Sequence, residues 1–299
     1  MVHSRVPLLF GTASIGAPGQ AAVRVSDLDT AQKMLHVFLL KYNYRELDSA
    51  RVYGGGTTEQ YLSQLELRGA TVDTKSYPSA PGDHNPEKLR STLLESRKAL
   101  RNLPIRAFYL HAPDRSVPFE KTLEEVDKLY KQGHFEIFGL SNFASWEVSA
   151  ICEICKANGW VKPGIYQAMY NALQRSIEPE LVPCLRTYGI RLVVFNPLAG
   201  GLFLGKITSI DQLPNEGRFS GAGAFAKLYR ERYVKEGYLN ALEKIKIVGE
   251  KHSLRLTEVA LRWCQHHSML TESDGVILAA SSTEQLEMNC ADSEKGIAS

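Results

Sequence analysis

AFYLHAPDRSVPFEKTLEEVDKLYKQGHFEIFGLSN, residues 107–142, holds one full turn of the pattern that decides the fold. It opens on an apolar run, 107–112, and passes through a polar turn into an amphipathic stretch, 118–131. That stretch has acids early and Lys128 and Lys131 late, the order a helix dipole favours. It closes on a second apolar run, 137–142. Near-continuous apolar runs suit strands buried on both faces. Working outward, further runs lie at 8–13, 45–50, 71–75, 164–169, 191–197 and 275–281, which makes eight. Helical patterns separate them. Ser26 and Asp27 can cap a helix to about Tyr42, and Asn85-Pro86-Glu87 gives a cap, a first-position proline and an acid, opening a helix to about Arg101. Segments 145–158, 177–188 and 237–253 continue the series, with 257–267 packed behind the last.

Eight strands alternating with helices leave two architectures, a closed (β/α)8 barrel and a doubly wound open sheet. The 299 residues suit one barrel, typically ~250 residues, plus insertions. No linker divides the chain, so residues 1–299 are expected to form one domain. The single long irregular stretch, about 198–230, is rich in glycine and would overhang the C-terminal face of a barrel as a binding loop.

Composition narrows the function classes. Lys plus Arg is 35 against 33 Asp plus Glu, with no long run of one sign, which argues against nucleic-acid binding. No apolar stretch approaches the ~20 residues of a membrane span, and residues 1–10 lack a long apolar signal core. A soluble cytoplasmic protein is expected. Five cysteines do not read as a disulfide framework. Cys152 and Cys155 have C-x-x-C spacing but fall inside a helical stretch, so they read as two buried helix cysteines.

The strand ends carry the chemistry. Strand two ends in Asp48, with Tyr53 just beyond; strand three ends in Lys75; strand four ends in His111; strand five ends Ser141-Asn142; strand six carries Gln167. Singly, each has a plain packing explanation: a cap, a solvated end, a satisfied core histidine. Together they put an acid, a phenol, an ammonium and an imidazole at one barrel mouth. That set suits carbonyl reduction. Hydride addition makes an alkoxide that needs a proton, and a tyrosine can give it if a nearby ammonium lowers its pKa from ~10. Asp48 would pair the ammonium, and the imidazole would orient the carbonyl. A Met at position 75 would then be expected to cost catalysis far more than folding. No second His or Cys sits at ligand spacing around His111, so no metal is expected. The hydride itself requires a cofactor.

Leu47-Asp48-Ser49-Ala50 with Tyr53-Gly54, Thr74-Lys75, Tyr109-Leu110-His111-Ala112-Pro113-Asp114 and Gly139-Leu140-Ser141-Asn142 resemble the aldo-keto reductase family over nearly the whole chain. Ser141 to Val148, Tyr166 to Ala172 and Asn196 to Leu202 look like its aflatoxin aldehyde reductase group. The resemblance implies a single (β/α)8 TIM barrel with the tetrad Asp48, Tyr53, Lys75 and His111, and an NADPH-dependent reductase of aldehydes or ketones. It also implies that Ser141, Asn142 and Gln167 hold the nicotinamide carboxamide. Phe195 stands where the family usually stacks a tyrosine on the nicotinamide. The loop from Asn196 through Leu198, Gly200, Gly201 and Leu202 to Lys206 would wrap the pyrophosphate, and Arg218 matches a cofactor arginine. Tyr229 and Arg232 match residues facing substrate, and His111 would touch it too.

Two departures stand out. The window 279–289, where many members grip the 2′-phosphate with basic side chains, offers Ser281, Ser282, Gln285 and Asn289 instead, at a helix expected to begin near Thr283. The chain also ends at Ser299, soon after the eighth strand, where the family usually continues over the substrate pocket; whether the chain is naturally short or a piece of a longer one is open, and one pocket wall is expected to be open in the sequence as it stands. The stretch 200–206 imitates a phosphate-binding G-x-x-x-x-G-K, but position 207 is Ile where that motif needs Ser or Thr. The alternatives are a redox-sensing module of the potassium-channel β-subunit type and a catalytically weak homologue. Related reductases include dimers, so a homodimer is open, as is the choice between detoxification and biosynthesis.

Overall fold

The computed structural model describes residues 3–101, 103–214 and 217–297. The expected opening of one pocket wall concerns the chain's end and lies outside the described residues. The eight runs form eight strands, β1 Leu8–Gly11, β2 Glu46–Asp48, β3 Thr71–Ser76, β4 Ile105–Leu110, β5 Ile137–Ser141, β6 Ile165–Met169, β7 Arg191–Phe195 and β8 Gly275–Leu278. They close in sequence order into one all-parallel barrel, β8 returning to β1. The open-sheet alternative falls, and the fold is a single (β/α)8 barrel.

Most strands are largely apolar on both faces because each face meets packing; β2 and β3, with Asp48, Asp73 and Lys75, are the exceptions. Leu9, Ala107, Tyr109, Ile165, Val193 and Ile277 fill the interior, while alternate residues such as Phe108, Leu192 and Val194 meet the helical ring. Inside, Gly139 leaves room for Tyr109: a Cβ at Gly139 would stand 2.4 Å from the Tyr109 ring.

The outer ring comprises α1 Leu28–His36, α2 Thr57–Leu62, α3 Pro86–Leu100, α4 Phe119–Lys131, α5 Ser145–Asn158, α6 Leu181–Tyr188, α7 Ala224–Tyr233, α8 Glu236–Lys251, α9 Leu256–His266 and α10 Thr283–Glu294. The two expected caps are present. Asp27 accepts the Thr30 N–H at 2.7 Å and Asn85 the Lys88 N–H at 2.9 Å, each satisfying an orphan donor of the first turn. α1 loosens into a wider turn at Val37–Lys41 before Tyr42, and α6 begins at Leu181, later than its pattern suggests. The irregular stretch contains a short helical turn, Ala199–Leu204, and most of α7. Cys152 and Cys155 are buried in α5, and burial pushes their thiols up to about 11 and 12. Among the described residues no helix is long and apolar enough to cross a membrane.

Candidate active site

The mouth takes its side chains from the C-terminal ends of the strands. Lys75 Nζ donates to Asp48 Oδ1 at 2.6 Å and to the Ser49 carbonyl at 2.6 Å. Gln167 Nε2 on β6 donates to the same Asp48 oxygen at 2.7 Å. All three side chains are buried. Burial pulls the Lys75 ammonium down, but Asp48, Tyr53 and Asp73 outweigh it and leave the group above its ordinary value. The amine is therefore a cation at neutral pH.

Tyr53 is placed by the turn that follows it. Gly54, Gly55 and Gly56 have φ of 56°, 62° and 90°, a left-handed run that side chains resist. A Cβ at Gly55 would stand 2.3 Å from Gln20 Oε1. Arg51 clamps the turn, donating to the Gly56 carbonyl at 3.0 Å and to Glu59 Oε2 at 2.6 Å. Buried Glu59 also accepts from Thr74 Oγ1 at 2.6 Å, which ties the turn to β3 beside Lys75. The result sets Lys75 Nζ 5.1 Å from the Tyr53 ring centroid. The parts played by Arg51, Glu59 and Thr74 are not evident in the sequence; the glycine run is the available signal.

The phenol corrects one expectation. Burial raises its pKa, Lys75 pulls it down and Asp48 pushes it up, and the balance lies above the ordinary value. The ammonium moderates the rise without reversing it, because an enclosed phenol loses the solvent that stabilises its anion. Tyr53 is thus protonated at neutral pH, the state a proton donor needs.

His111 follows β4 directly. Its ring stands 6.0 Å from that of Tyr53 at 78° and 5.4 Å from the exposed ring of Tyr77 at 85°. Among the described residues its buried Nδ1 has no partner. Burial, then Lys75 and His84, hold the imidazole down to about 3. A neutral ring keeps one donor and one acceptor nitrogen. His111 should therefore show no titration between about pH 8 and 5 in an imidazole 15N NMR series. Its folded value lies below its unfolded one of ~6.5, so the unfolded chain binds the extra proton and stability falls as pH drops from about 6.5. A midpoint near ~6 would contradict this.

The other predicted residues lie at the ends of β5 and β7, in the stretch after β7 and in α10. Asn142 is left-handed, φ 63°, and its Nδ2 donates to the His111 carbonyl at 2.8 Å and to Ser141 Oγ at 3.0 Å. Phe195 ends β7 half-buried. Asn196 is left-handed too, and Gly200 and Gly201, φ 68° and 105°, interrupt the short turn after it. Leu202 is buried, Leu198 and Arg218 half-buried, Lys206 exposed. In the imitation phosphate motif the glycines fall within and after this turn, and no helix follows Lys206 directly.

Ser282 caps α10, accepting the Gln285 N–H at 3.3 Å, and Ser281 Oγ donates to Gln285 Oε1 at 2.9 Å. Asn289 is buried farther along α10.

The donor set fits a nicotinamide nucleotide. Gln167 Nε2 and Asn142 Nδ2 are engaged by protein, while among the described residues Gln167 Oε1 and Asn142 Oδ1 are unclaimed acceptors for a carboxamide NH2. The N-terminus of α10 offers N–H groups to an anion.

Tyr229 is more deeply placed than its pattern suggests. It packs against Phe219, Phe225 and Tyr233, and a Cβ at Gly200 would come within 2.5 Å of its ring. Its hydroxyl meets Asn196 and Arg218, each at 3.3 Å. Arg232 stands 5.7 Å from the Tyr229 ring centroid, and among the described residues no carboxylate pairs with it.

Fold and mouth together define a (β/α)8 barrel with an acid, a phenol, an ammonium and an imidazole at or just beyond its strand ends. Residues 7–296 match the aldo/keto reductase family, and the chain belongs to it. It is 45% identical over 269 residues to an aldo-keto reductase of Pseudocercospora fijiensis, covering 86% of this chain and 90% of that one. It is 40% identical over 306 residues to aflatoxin B1 aldehyde reductase member 2 of Mus musculus, covering 95% and 83%. The glycerol dehydrogenase of Gluconobacter oxydans shares the fold, with a TM-score of 0.72 at 21% identity over 99% of this chain and 91% of that one.

Proposed function

We propose that the chain reduces aldehydes, and ketones as a second class, to alcohols with NADPH, and that Tyr53 is the general acid. The observation that carries this is the buried Lys75–Asp48–Gln167 knot beneath a protonated Tyr53. A bound reduced nicotinamide supplies the hydride. The chain's own groups do the rest. Tyr53 gives its proton to the developing alkoxide oxygen. Neutral His111 donates a hydrogen bond that orients the carbonyl before transfer. Lys75 keeps the phenolate that remains from being a bare buried anion, and Asp48 keeps Lys75 charged. Ser141, Asn142 and Gln167 would hold the carboxamide, Phe195 would cover the ring, and the strap from Asn196 to Lys206, with Arg218, would hold the pyrophosphate.

The likeness to an aflatoxin B1 aldehyde reductase supports aldehydes as the first class to test. Ser281, Ser282 and Gln285 at the start of α10, with Asn289 behind them, favour NADPH over NADH through neutral donors and the helix dipole. The test is a panel of aldehydes and ketones with each cofactor, with cofactor binding followed separately by fluorescence titration. Tighter NADPH binding that tolerates salt is expected. Equal kcat/KM for the two cofactors removes the NADPH assignment, and no turnover of any carbonyl removes the reductase.

Arg232, which no carboxylate pairs with among the described residues, suits a substrate carboxylate. Arg232→Ala should raise KM for succinic semialdehyde and 2-carboxybenzaldehyde by a charge-assisted bond, ~1.5–3 kcal/mol, and spare neutral aldehydes. Equal loss for both kinds would mean that Arg232 supports Tyr229 instead.

A further inference from the structure

Beneath the mouth lies a charge cluster that the reaction scheme leaves unused. Asp73 on β3 is register partner of Asp48 and fully buried. Lys75 lies two residues farther along the same strand, so both side chains share the inner face at roughly 6–7 Å spacing. Arg106 holds the Asp73 carboxylate at both oxygens, Nε to Oδ1 at 2.9 Å and Nη2 to Oδ2 at 2.5 Å. Arg106 also pairs with Glu46 at 2.8 Å, and Glu46 with Arg191 at 2.9 Å. Tyr109 joins the layers: its hydroxyl donates to Asp73 Oδ2 at 3.4 Å while its ring lies 5.6 Å from Lys75 Nζ. The acids Asp48, Asp73 and Glu46 thus meet the bases Lys75, Arg106 and Arg191.

Barrel interiors are usually filled by bulky apolar side chains, and a buried ion pair rarely stabilises more than an apolar replacement of its size. Packing alone therefore gives no reason for this cluster. Its position does, since Asp48 already divides one oxygen between Lys75 and Gln167. We propose that Asp73, fixed and kept ionised by Arg106, is a positioning residue: it is the second buried anion that holds Lys75 as an ammonium under Tyr53. The inference deepens the reductase reading and rests on it for the consequence in turnover.

The charged and titratable groups around Asp73 are Glu46 and Asp48 from β2, Lys75 from its own strand, Arg106 and Tyr109 from β4 and Arg191 from β7. Burial raises the Asp73 carboxyl to about 6 against the pull of Arg106. Loss of its charge exposes Lys75 to Arg106 with one fewer anion between them, so both the Lys75 ammonium and the Tyr53 phenol should lose protons at lower pH.

The test reads Lys75 directly. Protein labelled at lysine 13Cε is titrated by NMR, with the Lys75 signal assigned by its loss in Lys75→Met. Asp73→Asn, nearly isosteric, should lower the Lys75 midpoint by about one pH unit or more. Arg106→Lys, which retains the charge, should leave it in place. In turnover, Asp73→Asn should move the basic limb of kcat to lower pH by a similar amount. A parental Lys75 midpoint in folded Asp73→Asn overturns the proposal. A second arm needs no substitution: in the parent chain the Lys75 signal should move as Asp73 takes up its proton at about 6, and a flat response from about pH 4 to 8 also overturns it. Neither NMR arm needs activity. A chain that titrates as expected but reduces no carbonyl refutes the reductase and keeps this assignment, and an active chain with an unmoved Lys75 does the reverse.

Discussion

Tyr53→Phe should fold like the parent and bind cofactor with the same affinity while kcat drops by roughly 10²–10⁴, the range of general acid catalysis, or more. The change removes one oxygen and keeps the ring. The edge contact with His111 and the approach of Lys75 Nζ to the ring both survive it. No packing is lost with the hydroxyl beyond its own contacts. What disappears is the one group at this mouth that is protonated at neutral pH and able to give the proton up beside a fixed cation. His111 cannot replace it, because a ring held at about 3 has no spare proton in the working range. The basic limb of the kcat profile should vanish with the phenol. Fluorescence titration checks the cofactor, and steady-state turnover of a small aldehyde checks the chemistry. Turnover near the parental rate would assign the proton to another donor, such as water.

The barrel is legible in the sequence because its strands are buried on both faces. That burial writes near-continuous apolar runs into 8–13, 137–142 or 191–197, which periodicity detects without tertiary information. Helix starts are legible where a side chain does the capping, as at Asp27 and Asn85. α7 is not. Its residues follow a glycine-rich stretch, and its place depends on Tyr229 seating on Gly200, a contact between residues far apart in the chain. The tetrad is visible as residue types at strand ends. Its electrostatics are only half visible: sequence suggests the pull of Lys75 on Tyr53 but not the burial that outweighs it. Asp73 is within reach, since a period of two puts it on the face of Lys75; its partner Arg106 comes from another strand, and only the strand pairing joins them.

Lys75→Met is the second large effect, and here structure revises what sequence implies. The methionine replaces the stem, which alone implies a small cost in stability; the surroundings raise it. Asp48 is buried and takes two hydrogen bonds at one oxygen, from Lys75 and from Gln167. Removing the lysine leaves that carboxylate with an amide donor and no cation. Breaking a buried pair on one side typically costs about 3–5 kcal/mol, and Gln167 offsets part of it. Both stability and kcat should therefore fall, and the two losses can be separated. Lys75→Met with Asp48→Asn removes both charges, lets the amide at 48 keep company with Gln167, and should regain most of the melting temperature. It should not regain activity, because Tyr53 would still lack the cation that receives its phenolate. In the single variant the pull of Lys75 on the phenol is gone while Asp48 still pushes upward, so the basic limb of kcat should move to higher pH. Thermal melts and pH profiles on parent, single and double variants decide the matter. If the double variant recovered turnover along with stability, Lys75 would be a structural counterion to Asp48 and its part in proton transfer would have to be given up.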